Sequence, residues 1–216
     1  MDHDIKIEND NNSTETTAVV DYVCNLDIDD QLFLENIDNR HVYINDIIDQ
    51  EIAEQVVYHI ARYNIQDKNI SLKKRKPIKL FICSPGGSVD DGFRIISAIE
   101  SSRTPIHTIN TGYCYSMAFL LLISGDVRYG MQYSTYLLHE GEFGSYNSDS
   151  KATDEFEFNL LRNAMIKEYV LSRTQISSQE YEQNRRKEWY MFSDTAKEKS
   201  VIDFIIGNDI MFDDVL

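Results

Sequence analysis

The apolar run Ile78-Lys79-Leu80-Phe81-Ile82 leads through Cys83 into Ser84-Pro85-Gly86-Gly87-Ser88-Val89, and then into a helix-like stretch from Asp90 to Ser101. This junction constrains the fold more than any other feature of the chain. A strand that turns straight into a helix belongs to a layered α/β architecture. The Gly-Gly pair lets the backbone adopt φ > 0 and brings bare N–H groups close to whatever binds there. Such N–H groups can cradle a phosphate or hold the oxyanion of an acyl-transfer intermediate. No Lys-Ser/Thr pair follows to support a phosphate loop.

The chain has 216 residues, 42% of them apolar, enough for one α/β domain with a sizeable core. Its formal net charge of −15 argues against nucleic acid or an anionic membrane as the main partner, because phosphate contacts need clustered cations. The one basic run, Lys73-Lys74-Arg75-Lys76, reads as a solvated loop or a docking patch. Cys24, Cys83 and Cys114 are too few and too scattered for a disulfide framework or a zinc site, which points to a reducing, cytoplasmic setting. The longest apolar stretch, Ala118 to Ile123, signals a buried helix rather than a membrane span. Residues 1–20 are acidic and polar, lack the pattern of a signal peptide, and read as a disordered arm; residues 21–216 read as a single domain.

Strands and helices are predicted to alternate. Asp49 caps a helix to about Tyr63, with Ile52, Val56, Val57, Ile60 and Ala61 on one face. Strands are predicted at Ile78–Ile82, Ile106–Asn110, Tyr133–Leu138 and Val201–Ile206. Gly112 to Ile123 reads as a turn feeding an apolar helix, and Gly141 to Ser150 as a flexible connection. A long helix from about Thr153 to Arg173 and a short one from Ser178 to about Arg186 complete the pattern.

Ser116 opens the apolar helix directly after Gly112-Tyr113-Cys114-Tyr115. A serine on a sharp strand-to-helix turn exposes its hydroxyl beside the N–H of Met117 at the helix N-terminus. A serine there also serves simply as a helix cap. His139 ends a strand twenty-three residues on, where a histidine is either structural or a general base.

In combination these pieces resemble the proteolytic subunit of the Clp protease, the ClpP family of self-compartmentalised serine peptidases. The resemblance runs from about His41 to Ile206. It is carried by Phe81-Ile82-Cys83-Ser84-Pro85-Gly86-Gly87-Ser88-Val89, by Gly112 through Leu121, by Leu137-Leu138-His139, and by Trp189 through Ala196 with Ile202-Asp203. It implies a ClpP/crotonase-like fold, with a layered β-sheet, crossover helices and a protruding handle helix at Thr153–Arg173. It further implies Ser116 as nucleophile, His139 as general base, Glu188 as the acid, and the N–H groups of Gly87 and Met117 as the oxyanion hole. The implied assembly is a homo-oligomer of two stacked heptameric rings, a tetradecamer, or mixed rings with a paralogue. Its partners would be a Clp-type AAA+ unfoldase and unfolded polypeptide. No cofactor is implied, since ATP would be used by the partner ATPase.

Several residues depart from the family pattern. Glu188 stands where Asp is usual, Ala118 where Gly is usual, and Glu140-Gly141 replaces Gln-Pro after the histidine. Tyr113 and Tyr115 replace small residues before the serine, and the loop Asn64–Lys76 is long. These departures motivate an alternative, a catalytically weakened or inactive ClpP-like structural subunit. A crotonase-type acyl-CoA enzyme shares the general fold but has no role for a Ser-Met pair or a strand-ending His.

Overall fold

The computed structural model describes residues 28–141 and 149–216. The acidic arm and most of the Gly141–Ser150 connection lie outside the described residues, as does Cys24. The chain divides into two compact units, Met1–Asn39 and Arg40–Leu216. The described part of the first is helix α1, Ile28–Asn39.

The second unit is built on one mainly parallel sheet. Its elements in order are β1 His41–Ile44, α2 Gln50–Gln66, β2 Ile78–Ser84, α3 Val89–Ser101, β3 Ile106–Tyr115 and α4 Met117–Ile123. There follow β4 Val127–Met131, β5 Thr135–Leu138, α5 Asp149–Arg173, α6 Ser178–Asn184, β6 Trp189–Phe192, α7 Ser193–Glu198 and β7 Phe204–Ile206. The strands lie in the order β1-β2-β3-β4-β7, and β5 pairs with β3 and β6. Every pairing is parallel except β5–β6. Buried parallel strands joined by helical crossovers are the architecture that the alternation predicts.

Local signals explain where the helices start. Asp49 accepts from the Ile52 N–H and caps α2, whose buried face is Ala53, Val56, Ile60 and Tyr63. Ser88 accepts from the Asp91 N–H and caps α3. Ser177 and Glu180 form a reciprocal capping box at α6. Helix α4 is apolar all round and wholly buried, as a helix must be when no face meets water. The Arg173 guanidinium, at the end of α5, donates to the carbonyls of Ile123, Ser124 and Gly125 and closes the C-terminus of α4. Arg128 donates in turn to the Arg173 carbonyl and pairs with Asp203.

The main core lies on one sheet face, where Ile78, Leu80 and Ile82 of β2 meet α2, α3 and α4. The alternate residues, Phe81 of β2, Ile109 of β3 and Tyr129 of β4, form a smaller cluster on the other face with Ile206 and Val215.

Strand β3 differs from the sequence prediction, which stops it at Asn110. It runs on to Tyr115 because it changes partners. His107–Asn110 pair with β4, and Tyr113–Tyr115 pair with β5. The slack is taken up between Asn110 and Cys114, where the register against β2 shifts. Buried Asn110 holds that bend, accepting from the Gly112 N–H and donating to the Thr135 carbonyl. Asn110 and Gly112 carry turn chemistry, so the local sequence suggests a break where the sheet supplies a new partner. The short strands β1, β4 and β6 have no strong signal of their own, and β7 is shorter than the predicted Val201–Ile206.

Candidate active site

Three βα junctions converge at the carboxyl edge of the parallel strands. The Gly-Gly turn follows β2, Ser116 follows β3 and His139 follows β5. This edge is where open α/β sheets bind their ligands.

Ser116 sits between β3 and α4 with φ +53°. A non-glycine residue in that region stores strain on the order of 1–3 kcal/mol, which persists only where the surroundings enforce it. Here they do, since the Ser116 N–H donates to the Leu137 carbonyl of β5 (3.0 Å) and its own carbonyl accepts from Phe119 N–H (3.0 Å). The Ser116 side chain makes no capping hydrogen bond, so the cap role open to it in sequence is not taken. Among the described residues its hydroxyl has no hydrogen-bond partner.

Gly86 and Gly87 have φ +98° and +149°. A Cβ on Gly86 would lie 2.6 Å from the Tyr115 carbonyl oxygen and 2.8 Å from Ser116 Cβ. Gly86 is thus the residue that lets the turn approach the serine, a role that sequence alone did not separate from that of Gly87. A Cβ on Gly87 would collide with the Ile48 backbone. Ile48 and Gly87 form an isolated parallel bridge, through Ile48 N–H to Gly86 O and Ser88 N–H to Ile48 O, both 2.8 Å. In this parallel bridge both bonds are made by the N–H and C=O of Ile48 to the neighbours of Gly87, and the N–H and C=O of Gly87 itself take no part. The Gly87 N–H is therefore directed away from Ile48, toward the side on which β3 pairs with β2. Met117 is the first residue of α4, so its N–H has no partner within the helix.

The third junction is set by strand register. In the antiparallel pair Thr135 faces Phe192 and Leu138 faces Trp189; continued by one residue, His139 faces Glu188. Their side chains meet, His139 Nδ1 to Glu188 Oε1 at 2.9 Å. A carboxylate on Nδ1 favours the tautomer in which Nδ1 carries the proton and Nε2 is the basic nitrogen. The Glu188 side chain remains 56% exposed, against 20% for His139.

Glu140 is occupied elsewhere. Its carboxylate accepts from Arg185 Nη1 (2.6 Å) and Asn163 Nδ2 (3.3 Å), and its N–H donates to the Arg185 carbonyl (2.6 Å). The tyrosines before the serine form an aromatic strip. Tyr115 shares a hydrogen bond with Thr135 Oγ1 (2.8 Å) and packs against Tyr113 and Tyr190, with ring centroids 5.0 and 5.7 Å away. Period-2 alternation puts Tyr113 and Tyr115, Thr135 and Leu137, and Tyr190 and Phe192 on the face that ends in the His139–Glu188 row. Cys114 points instead into the core, where burial pushes its thiol pKa well up and leaves it a poor nucleophile.

Among the described residues, no group of three His, Cys, Asp or Glu is placed to hold a metal ion, and no helix is long and apolar enough to cross a membrane. The structure therefore brings Ser116, His139, Glu188, Gly87 and Met117 to one edge, and directly joins only His139 to Glu188.

Residues 27–209 match the Clp protease family. ATP-dependent Clp protease proteolytic subunit 2 of Treponema pallidum (strain Nichols) is 29% identical over 181 residues, covering 82% of this chain and 85% of that protein. The subunit of the same name from Treponema denticola is 33% identical over 114 residues, 52% of this chain and 54% of that protein. Proteolytic subunit 1 of Frankia casuarinae is 24% identical over 180 residues, 82% of each chain. With the parallel sheet and the edge just described, this match over most of its length makes the chain a divergent member of the Clp protease family, of the ClpP type.

Proposed function

We propose that the chain is a serine-type endopeptidase subunit that hydrolyses unfolded polypeptide. Ser116 attacks the scissile carbonyl, His139 Nε2 takes its proton and returns it to the leaving amine, and Glu188 steadies the imidazolium. The N–H groups of Gly87 and Met117 stabilise the oxyanion, each contributing roughly 3–4 kcal/mol in comparable sites. Water then attacks the acyl-enzyme by the same base and regenerates Ser116. The reading needs no metal or cofactor on this chain.

The observation that carries it is the 2.9 Å hydrogen bond from His139 Nδ1 to Glu188. The longer side chain in the acid position still reaches the imidazole. Strain at Ser116, with its hydroxyl left free of capping, points the same way.

The relatives are named as proteolytic subunits of an ATP-dependent protease. By that likeness the chain works within stacked heptameric rings, homomeric or mixed, in the cytoplasm, and receives substrate from a Clp-type ATPase. The exposed apolar residues Phe156, Phe158, Leu160, Leu161 and Met165 on α5 support burial of that helix against other subunits.

The test is hydrolysis of a fluorogenic peptide and labelling of Ser116 by a fluorophosphonate, with Ser116→Ala as control. Labelling at another residue would sink the assignment. A second reading, a ring member without catalysis, is favoured by the exposure of Glu188, which leaves its charge screened by water. Assembly with an active paralogue and no labelling of this chain would select it.

A further inference from the structure

Helix α5 reaches both sides of the edge that carries Ser116 and His139. Arg162 Nη1 lies 3.4 Å from Asp90 Oδ1, in the first turn of α3, the helix that starts from the Gly-Gly turn. The next residue, Asn163, donates to Glu140, which follows His139 (3.3 Å). One turn further along α3, Phe93 meets Tyr169 of α5 edge to face, with ring centroids 6.4 Å apart. Between these contacts α3 lies directly on Met117, since a Cβ on Gly92 would collide with the Met117 side chain.

The Arg162 guanidinium is held in place but not used up. Its side chain is 21% exposed, and Nη2 donates to Oδ1 of buried Asn159, whose amide donates to the Glu155 carbonyl. The Phe158 ring backs it, with its centroid 5.8 Å away. Its carboxylate partner, Asp90, is 85% exposed, and an ion pair so open to water is weak. Asp90 also sits where the α3 dipole favours a carboxylate without any cation. A guanidinium has five donors, and among the described residues this one makes no other hydrogen bond.

We infer that Arg162 is a specificity-determining residue, selecting polypeptides with an acidic side chain on the residue whose carbonyl Ser116 attacks. The inference rests on the peptidase reading and deepens it by naming the substrate class. With the scissile carbonyl between the Gly87 and Met117 N–H groups, the side chain of the residue that bears it falls beside the first turn of α3 and against α5. A carboxylate there displaces Asp90 and meets the guanidinium through two parallel N–H bonds, the geometry that arginine's planar fork favours. Asn159 sets the plane of that fork in advance, so little ordering is left to the moment of binding. An apolar side chain in the same place strips water from a mostly buried cation and returns no hydrogen bond.

The test is hydrolysis by the full chain of three fluorogenic peptides, acetyl-Ala-Ala-Glu, acetyl-Ala-Ala-Gln and acetyl-Ala-Ala-Leu, each joined to aminomethylcoumarin. The Glu peptide is expected to have a kcat/KM at least about tenfold above the other two, the size of one charge-assisted hydrogen bond. Arg162→Met should remove that advantage and leave cleavage of the Leu peptide in place. Asp90→Asn, which frees the guanidinium, should raise the Glu peptide about two- to fivefold and leave the Leu peptide unchanged, the range set by an exposed ion pair. Equal rates for Glu and Gln in the unaltered protein, or a Glu preference that survives in Arg162→Met, overturn the inference. Should Arg162→Met fail to fold, Asp90→Asn decides, and no gain for the Glu peptide overturns it. Fluorophosphonate labelling separates the two readings. Labelled Ser116 without a Glu preference removes the specificity alone, whereas an unlabelled Ser116 removes the peptidase reading and the specificity with it.

Discussion

His139 and Glu188 face each other across the antiparallel β5–β6 pair, and their side chains close a 2.9 Å hydrogen bond. The strands fix this relationship by bringing the two Cα atoms opposite one another. A flexible acidic side chain then has only to find the nearer imidazole nitrogen. Cross-strand neighbours have Cβ atoms about 4.5–5.5 Å apart, a gap that a glutamate spans easily.

Glu188→Gln keeps the shape and removes the charge. Peptidase kcat/KM is expected to fall by about 10²–10⁴, as in other triads whose acid becomes an amide. Glu188→Asp, shorter by one methylene, should fall between the two. Steady-state hydrolysis of a fluorogenic peptide measures all three, and full activity in Glu188→Gln would remove Glu188 from the mechanism.

The strain at Ser116 predicts a trade between activity and stability. Ser116→Gly relaxes φ +53° and should stabilise the fold by about 1 kcal/mol, whereas Ser116→Ala retains the strain and should change little. Urea unfolding compares the two variants, and both should lose fluorophosphonate labelling. Equal midpoints would mean that the backbone at residue 116 relaxes without strain.

Gly86→Ala places a methyl against the Tyr115 carbonyl and Ser116 Cβ while holding φ at +98°. A loss of about 2–4 kcal/mol is expected, together with loss of peptidase activity because the serine must move. Thermal unfolding with activity on the same sample tests this. A variant that is stable and active would place the Gly-Gly turn away from the serine.

Asp67 contributes to the acid limb of stability. Hydrogen bonds from Arg40 at 2.7 Å, and then from Thr104 at 2.9 Å, hold the buried carboxyl below its ordinary pKa. The folded state therefore binds the proton less readily than the unfolded chain. The stabilisation is complete above the unfolded value of about 3.9 and is lost as pH falls through the lower folded value. Asp67→Asn should cost about 2–3 kcal/mol at neutral pH and flatten that acid limb. Urea midpoints measured from pH 7 downward would show both effects, and parallel curves for the two proteins would contradict them.

Features that depend on nearest neighbours along the chain were legible in the sequence. Caps at Asp49 and Ser88, the apolar α4 and the Gly-Gly turn each carry their own chemistry. Strands whose only reason to exist is a partner were not legible. In β6 only Met191 is buried, and the rest of Trp189–Phe192 gives no run that periodicity can read. The continuation of β3 past Asn110 was hidden for the same cause, since the strand persists only because β5 is there to receive it.

Local backbone preference and hydrophobic period suffice to specify an α/β chain with a glycine turn after β2, a serine opening a buried helix and a histidine ending a strand. Tertiary structure alone decided that the glycine approaching Ser116 is Gly86, that Glu140 turns to Arg185, and that Glu188 meets His139. Those outcomes depend on register and on a partner switch between strands distant in the chain. Such pairing energies have no signature in a run of neighbouring residues.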